Sequence, residues 1–303
     1  MSDKLSPLGY DFFADVEGTR SVAHTLEAGV RFKTQLNALS RLEKNLAGLP
    51  ARLEAMNERR VTVLRALAKD VAGQREQLKQ VSAQTHEMVE SYQQSLQPRV
   101  DALWQQIEHN DGLIRQDGYE AHGEAITSTK RQADQLKIEM EQAEQDILGC
   151  FNELTNKTRQ LSQHITHLER ACDALSRATF ALHANEMLLN AIDGTYHISH
   201  KEAAEGVLFL TTQRLIFEQR QEVVTSRFFL FSQKQRVEEV RFAERLDQVS
   251  NIHVAQQQGR ETFNLTLTKN AKVREATFSL SHNAQQWANL INQVRLGEKY
   301  NCS

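Results

Sequence analysis

The sequence predicts an α+β multidomain chain: a long antiparallel helical hairpin or bundle of coiled-coil type, then a β-barrel capped by a C-terminal helix. Three observations predict it. Ile126, Ala133, Met140, Ile147, Leu154, Leu161, Leu168, Leu175 and Leu182 recur at a strict interval of seven, a period that keeps an apolar seam on one helix face. Eight of the 13 phenylalanines fall from Phe209 onward, where β-branched residues also become dense, the composition of strands. Ala284, Trp287, Leu290, Ile291 and Val294 share one face of a last helix, with Ser281 or Asn283 available as its N-cap.

In chain order, residues 1–18 hold Pro7, Gly9 and Gly18 around Tyr10, Phe12 and Phe13 and read as a tail. Its aromatics either dock on the helices or form a short segment that binds a partner helix. Residues 19–184 read as an elongated helical bundle, since Leu39, Leu42, Leu46, Leu49, Leu53, Met56, Val63 and Leu67 follow one stripe. Gly48-Leu49-Pro50 is expected to turn or kink the chain and Pro98 to start a new helical piece. Turn signals at Asn110-Asp111-Gly112 and Gln116-Asp117-Gly118 point to a reversal. One helix is then expected from about Ala121 to Ala184. Its stripe must be covered, either by the preceding helices folded back along it or by a second copy of the chain.

Composition narrows the function classes. The 303 residues are 40% apolar and 25% charged with net charge -3, enough for two domains with real cores. Residues 1–185 hold 22 basic and 26 acidic side chains, and residues 186–303 hold 14 and 13. Without a concentrated positive surface, duplex nucleic acid is not an expected partner. Cys150, Cys172 and Cys302 are odd in number and far apart, which suits a reducing, cytoplasmic setting better than a disulfide framework. No secretory signal and no 18-residue apolar span is seen. Any membrane contact is expected to be peripheral, at the inner face, or through a partner.

Within residues 186–298, strands are expected at Gly206–Glu218 (two short paired strands), Val223–Phe231, Arg236–Phe242, Val249–Ala255, Thr262–Thr268 and Ala276–Leu280. Residues 299–303 form a second tail. The run Gly206, Val207 to Leu210, Thr211, Thr212, Arg214-Leu215-Ile216-Phe217, the later Arg245-Leu246-Asp247-Gln248-Val249-Ser250-Asn251-Ile252, and Trp287 in the last helix resemble GRAM-like and bacterial pleckstrin-homology (PH)-like domains. That resemblance implies six or seven strands closed by one amphipathic helix, and lipid or protein docking as the activity. The residues themselves suggest that Gly206 admits a close strand approach and that Arg214 fixes the turn through an ion pair or backbone contact.

The chain departs from the family pattern by inserting Glu222–Val240, with Arg227, Phe229, Phe231, Lys234 and Arg236 as the candidate partner or membrane surface. If a hairpin projects them, the aromatics enter an apolar groove or bilayer interface while the cations meet anionic groups. If the segment is a central strand, Phe229 and Phe231 face the core and the cations snorkel.

No catalytic residues and no cofactor are assigned. His164-x-x-His167 and His197-x-x-His200 lack further ligands at metal spacing. Phosphate-binding glycine loops and a Gly-x-Ser-x-Gly elbow are missing. The expected function is a non-enzymatic scaffold or adaptor whose helices self-associate or bind a partner and whose PH-like domain docks on a protein. Direct binding of anionic lipid is the alternative, and an enzyme with a dispersed site is a third.

Overall fold

The computed structural model describes residues 7–57, 64–199, 202–228, 231–257, 260–280 and 283–296, without the side chains of 7–12, 57, 64–65, 120, 221–237, 257 and 260. Four long helices come first: α1 (Pro7–Gly29), α2 (Lys33–Asn57), α3 (Leu64–Asp117) and α4 (Gly123–Ser176), with a 3-10 turn at Glu120–His122 between the last two. Residues 7–18, expected as a tail, open α1, and Pro7 suits a first helical position because its missing N–H has no partner there anyway.

Pro50 and Pro98 lie inside α2 and α3 and do not divide them. An interior proline costs a helix about 3 kcal/mol, but burying one large apolar side chain returns about 1.5–3 kcal/mol. Leu49, Leu53, Leu96 and Val100 are all buried beside the two prolines. The break that does occur lies between α1 and α2, at Phe32, which adopts a left-handed φ of 47°. Its ring is 1% exposed and tilts against Tyr92 with centroids 6.2 Å apart, so burial offsets a backbone strain of about 1–3 kcal/mol.

Contacts divide the chain into two compact units, residues 1–47 with 72–159 and residues 48–71 with 160–303. In the first, one buried cluster joins α1, α2 and the turn between them (Ala23, Leu26, Phe32, Leu39), α3 (Leu96, Val100, Leu103) and α4 (Ala133, Met140, Ile147, Leu154). From Ala133 to Leu154 the heptad stripe of α4 is therefore covered by preceding helices of the same chain. Cross-helix polar bonds surround this seam. Arg20 meets Asp111 at 2.5 Å, Arg99 pairs with Glu139, and the Tyr92 hydroxyl donates to Asp146 at 2.6 Å.

In the second unit, Arg52 of α2 donates through Nε and Nη2 to Glu169 of α4 at 2.8 and 2.7 Å and reaches Ser162 and Thr166 as well. Seven antiparallel strands follow: β1 (Leu188–His197), β2 (Ala203–Thr211), β3 (Arg214–Phe228), β4 (Phe231–Arg245), β5 (Val249–Gln257), β6 (Arg260–Leu267) and β7 (Glu275–Leu280), then α5 (Ala284–Arg295). They form one sheet in the order β4-β3-β2-β1-β7-β6-β5, with the strand number and single closing helix expected above. Val223–Phe231, expected as a strand of its own, is split between β3 and β4.

The sheet is open, where a closed barrel was expected, because β4 and β5 are its two edges. Only the three-residue 3-10 turn Leu246–Gln248 joins them, and α5 packs on β5, β6 and that turn. Trp287, Ala288 and Ile291 of α5 are buried. Asn283 holds the N-cap position at φ 61° without a side-chain cap bond, and Glu261 of β6 instead accepts the Ala284 N–H at 2.6 Å. Ser281 lies outside the described residues. At the other end Arg295 Nη1 donates to the Val249 and Ser250 carbonyls. Tyr196, Phe217, Phe242, Phe263 and Phe278 form the aromatic core, with Tyr196 stacked on Phe278 at 5.0 Å.

Candidate functional site

The insertion singled out in the sequence sits on β3 and β4, fifteen residues each. Leu215, Ile216 and Phe217 begin β3 fully buried and pair with Leu210, Phe209 and Leu208 of β2, a ladder that ends at Gly206↔Gln219. Beyond Gln219, β3 pairs among the described residues with β4 alone, through Glu222↔Arg236, Val224↔Lys234, Arg227↔Ser232 and Phe228↔Phe231. Irregularities at Phe217/Glu218 and Val224/Ser226 bend and twist such a ribbon. Arg227, Phe231, Lys234 and Arg236 thus stand on a two-stranded backbone hairpin, and Phe229 lies outside the described residues.

The foot of this hairpin was not anticipated. Glu186 and Glu218 are fully buried carboxylates in the segment leaving α4 and in β3. Arg214 grips Glu186 with Nε at 2.9 Å and Nη2 at 2.6 Å and donates to the Ala181 carbonyl at 3.1 Å. Burial pushes the Glu186 carboxyl up, but hydrogen bonds from Arg214, the His183 N–H and the Thr211 hydroxyl outweigh it and hold the group below the usual glutamate range. The Thr211 hydroxyl also accepts the Gln213 and Arg214 N–H groups, fixing the β2–β3 turn. Arg214 is therefore the structural ion pair expected of it.

The second carboxylate, Glu218, is paired with Arg220 at 2.5 Å and accepts the Thr179 N–H and hydroxyl at 2.5 and 2.8 Å. Arg220 continues to the Ala174 carbonyl in the last turn of α4 at 2.8 Å and lies over the Phe209 ring. An acid next to a fully apolar strand segment, Ile216-Phe217-Glu218, was the available signal for this pair.

Elsewhere the chemistry is modest. A shallow groove of about 570 Å³ between α2 and α3 is lined by Glu43, Ala47, Arg75, Leu78, Lys79, Ser82, Ala83 and His86. His197 Nε2 lies 2.7 Å from Ser279 Oγ, and His200 is outside the described residues. Burial lowers the pKa of His164, helped by the charge of His167 and opposed by that of Asp70. Among the described residues no group of three His, Cys, Asp or Glu side chains could hold a metal ion, and no helix is long and apolar enough to cross a membrane.

Known proteins give little to compare. No family model matches the chain, and no curated protein does. Among solved structures, the DH/PH domains of p115-RhoGEF are 14% identical with a TM-score of 0.28, over 96% of this chain and 95% of that one. The complex of PDZ-RhoGEF DH/PH domains with GTP-gamma-S activated RhoA gives 13% and 0.30, over 97% and 96%. The C-terminal domain of an unknown protein from Leishmania infantum gives 16% and 0.25, over 37% of this chain and 86% of that one. Likenesses of this size carry neither a partner nor an activity to this chain.

Proposed function

We propose that this chain is a non-enzymatic cytoplasmic scaffold or adaptor whose β3–β4 hairpin docks on a protein partner. The observation that carries the reading is the ladder: past Gln219 the two strands have only each other as neighbours among the described residues, so main-chain groups along their outer edges are available to a partner. The insertion supplies apolar and cationic side chains together, Phe229 and Phe231 with Arg227, Lys234 and Arg236.

Other features fit a binding role. Shifted acids such as Glu139, Glu169 and Glu186 owe their shifts to arginine partners, as in structural ion pairs. The near balance of 14 basic and 13 acidic side chains after residue 185 favours a protein over an anionic membrane, which is bound more strongly as cations accumulate. Sedimentation with anionic liposomes separates the two. The protein reading expects the chain to stay in the supernatant, whereas pelleting that disappears in Phe229→Ala and Lys234→Ala variants makes lipid the direct ligand.

A further inference from the structure

The segment between α4 and β1, residues 177–187, has no regular secondary structure over most of its length, yet its backbone is tied down along that length. The Thr179 N–H enters the Glu218 carboxylate at 2.5 Å and the His183 N–H enters Glu186 at 2.9 Å. Ala181 gives its carbonyl to Arg214. Met187 exchanges two bonds with Thr212, one to its hydroxyl at 3.1 Å and one from its N–H at 2.9 Å. Phe180 sits edge-on to Phe209 with centroids 5.1 Å apart. A flexible linker leaves such groups to water.

The other half of the attachment is on β3. Its Arg220 caps the end of α4 at the Ala174 carbonyl, a position where unpaired carbonyls and the helix dipole favour a cation. Arg214, Glu218 and Arg220 lie on one strand, and that strand continues into the hairpin. We infer that residues 177–187 are a rigid coupling that makes the end of α4 and β3 move as one body, so that a partner seated on the far end of the hairpin acts on α4 directly. The coupling stands on these contacts alone; its consequence for a partner rests on the docking reading above.

Spin labels at the exposed positions Arg170 on α4 and Glu205 on β2 test it by electron–electron distance measurement, in the full chain with the three native cysteines changed to alanine. A reference pair at Glu205 and Lys269 lies within the sheet domain. The expected result is one distance, distributed as narrowly as in the reference pair. A broad or two-peaked distribution overturns the coupling. In Glu218→Ala the α4–sheet distance is expected to spread while the reference stays narrow, and an unchanged distribution again overturns it. If that variant does not fold by circular dichroism, Arg220→Ala gives the same reading. Phe229→Ala is expected to weaken docking and leave the distances unchanged, so the two readings fail separately.

Discussion

A methyl group on Gly206 would lie 2.0 Å from the Glu218 carbonyl oxygen and 2.9 Å from Gln219 Cα, at the pair Gly206↔Gln219 where the β2–β3 ladder ends. Backbone cannot give way as a flexible side chain does. Gly206→Ala is expected to cost about 1–3 kcal/mol in denaturant melts. Gly48 in α2 is the contrast, since a methyl group there would have nothing within 4 Å. Gly48→Ala is expected to stabilise by about 0.5–1 kcal/mol.

Glu186 depends on Arg214 for its charge partner. Arg214→Ala strands a fully buried carboxylate, which is expected to cost about 3–5 kcal/mol. The folded pKa of Glu186 is depressed, so its stabilisation is complete above the unfolded value of about 4.3 and is lost as pH falls through the folded value. Thermal melts of the native chain should therefore weaken on acidification below about pH 4.3. In Glu186→Gln that part of the slope should be missing. These residues were hard to find in sequence because their partners are remote: Arg214 lies 28 positions from Glu186 and Thr179 lies 39 from Glu218.

At the scale of elements, β3 and β4 have two parts with different work. The first part is a central strand against β2, and the second part has no third strand beside it among the described residues. Replacing residues 222–236, which lie between the paired Gln221 and Val237, with a two-residue Asn-Gly turn, which suits a hairpin, is expected to leave the rest of the sheet folded, with little change in the far-ultraviolet spectrum or the melting temperature. Collapse of the domain would show that the distal part belongs to the core.

The sheet was legible from alternation and aromatic content, and α5 from its Trp287 stripe. Its edges were not, since pairing partners are chosen by tertiary geometry. The end of α4 at Ser176 instead of Ala184 was also hidden, because the heptad stripe runs on to Leu182 while Glu218 and Arg220, from a distant strand, take over the backbone groups at the exit. The position of Phe32 misled in the same way: a phenylalanine carries no turn signal, and only its burial explains the left-handed backbone.

For the whole molecule, a strict seven-residue repeat left two ways to cover the α4 stripe, and packing chose the helices of the same chain. No second copy is needed to bury Ala133, Met140, Ile147 or Leu154. Light scattering after gel filtration is accordingly expected to give the mass of one chain, 34.6 kDa. A dimer that dissociates when exposed helix positions are charged would restore self-association through the helical layer.

The central claim is that the hairpin meets a protein. Its most direct test places a photo-crosslinking residue at Gln233 on the hairpin and, separately, at Glu205 on β2, in chains illuminated in extract from the source cells. Discrete protein adducts are expected from Gln233, missing from Glu205 and suppressed by Phe229→Ala with Lys234→Ala. The same adducts from both positions, or none from Gln233 together with hairpin-dependent pelleting on anionic liposomes, would contradict it.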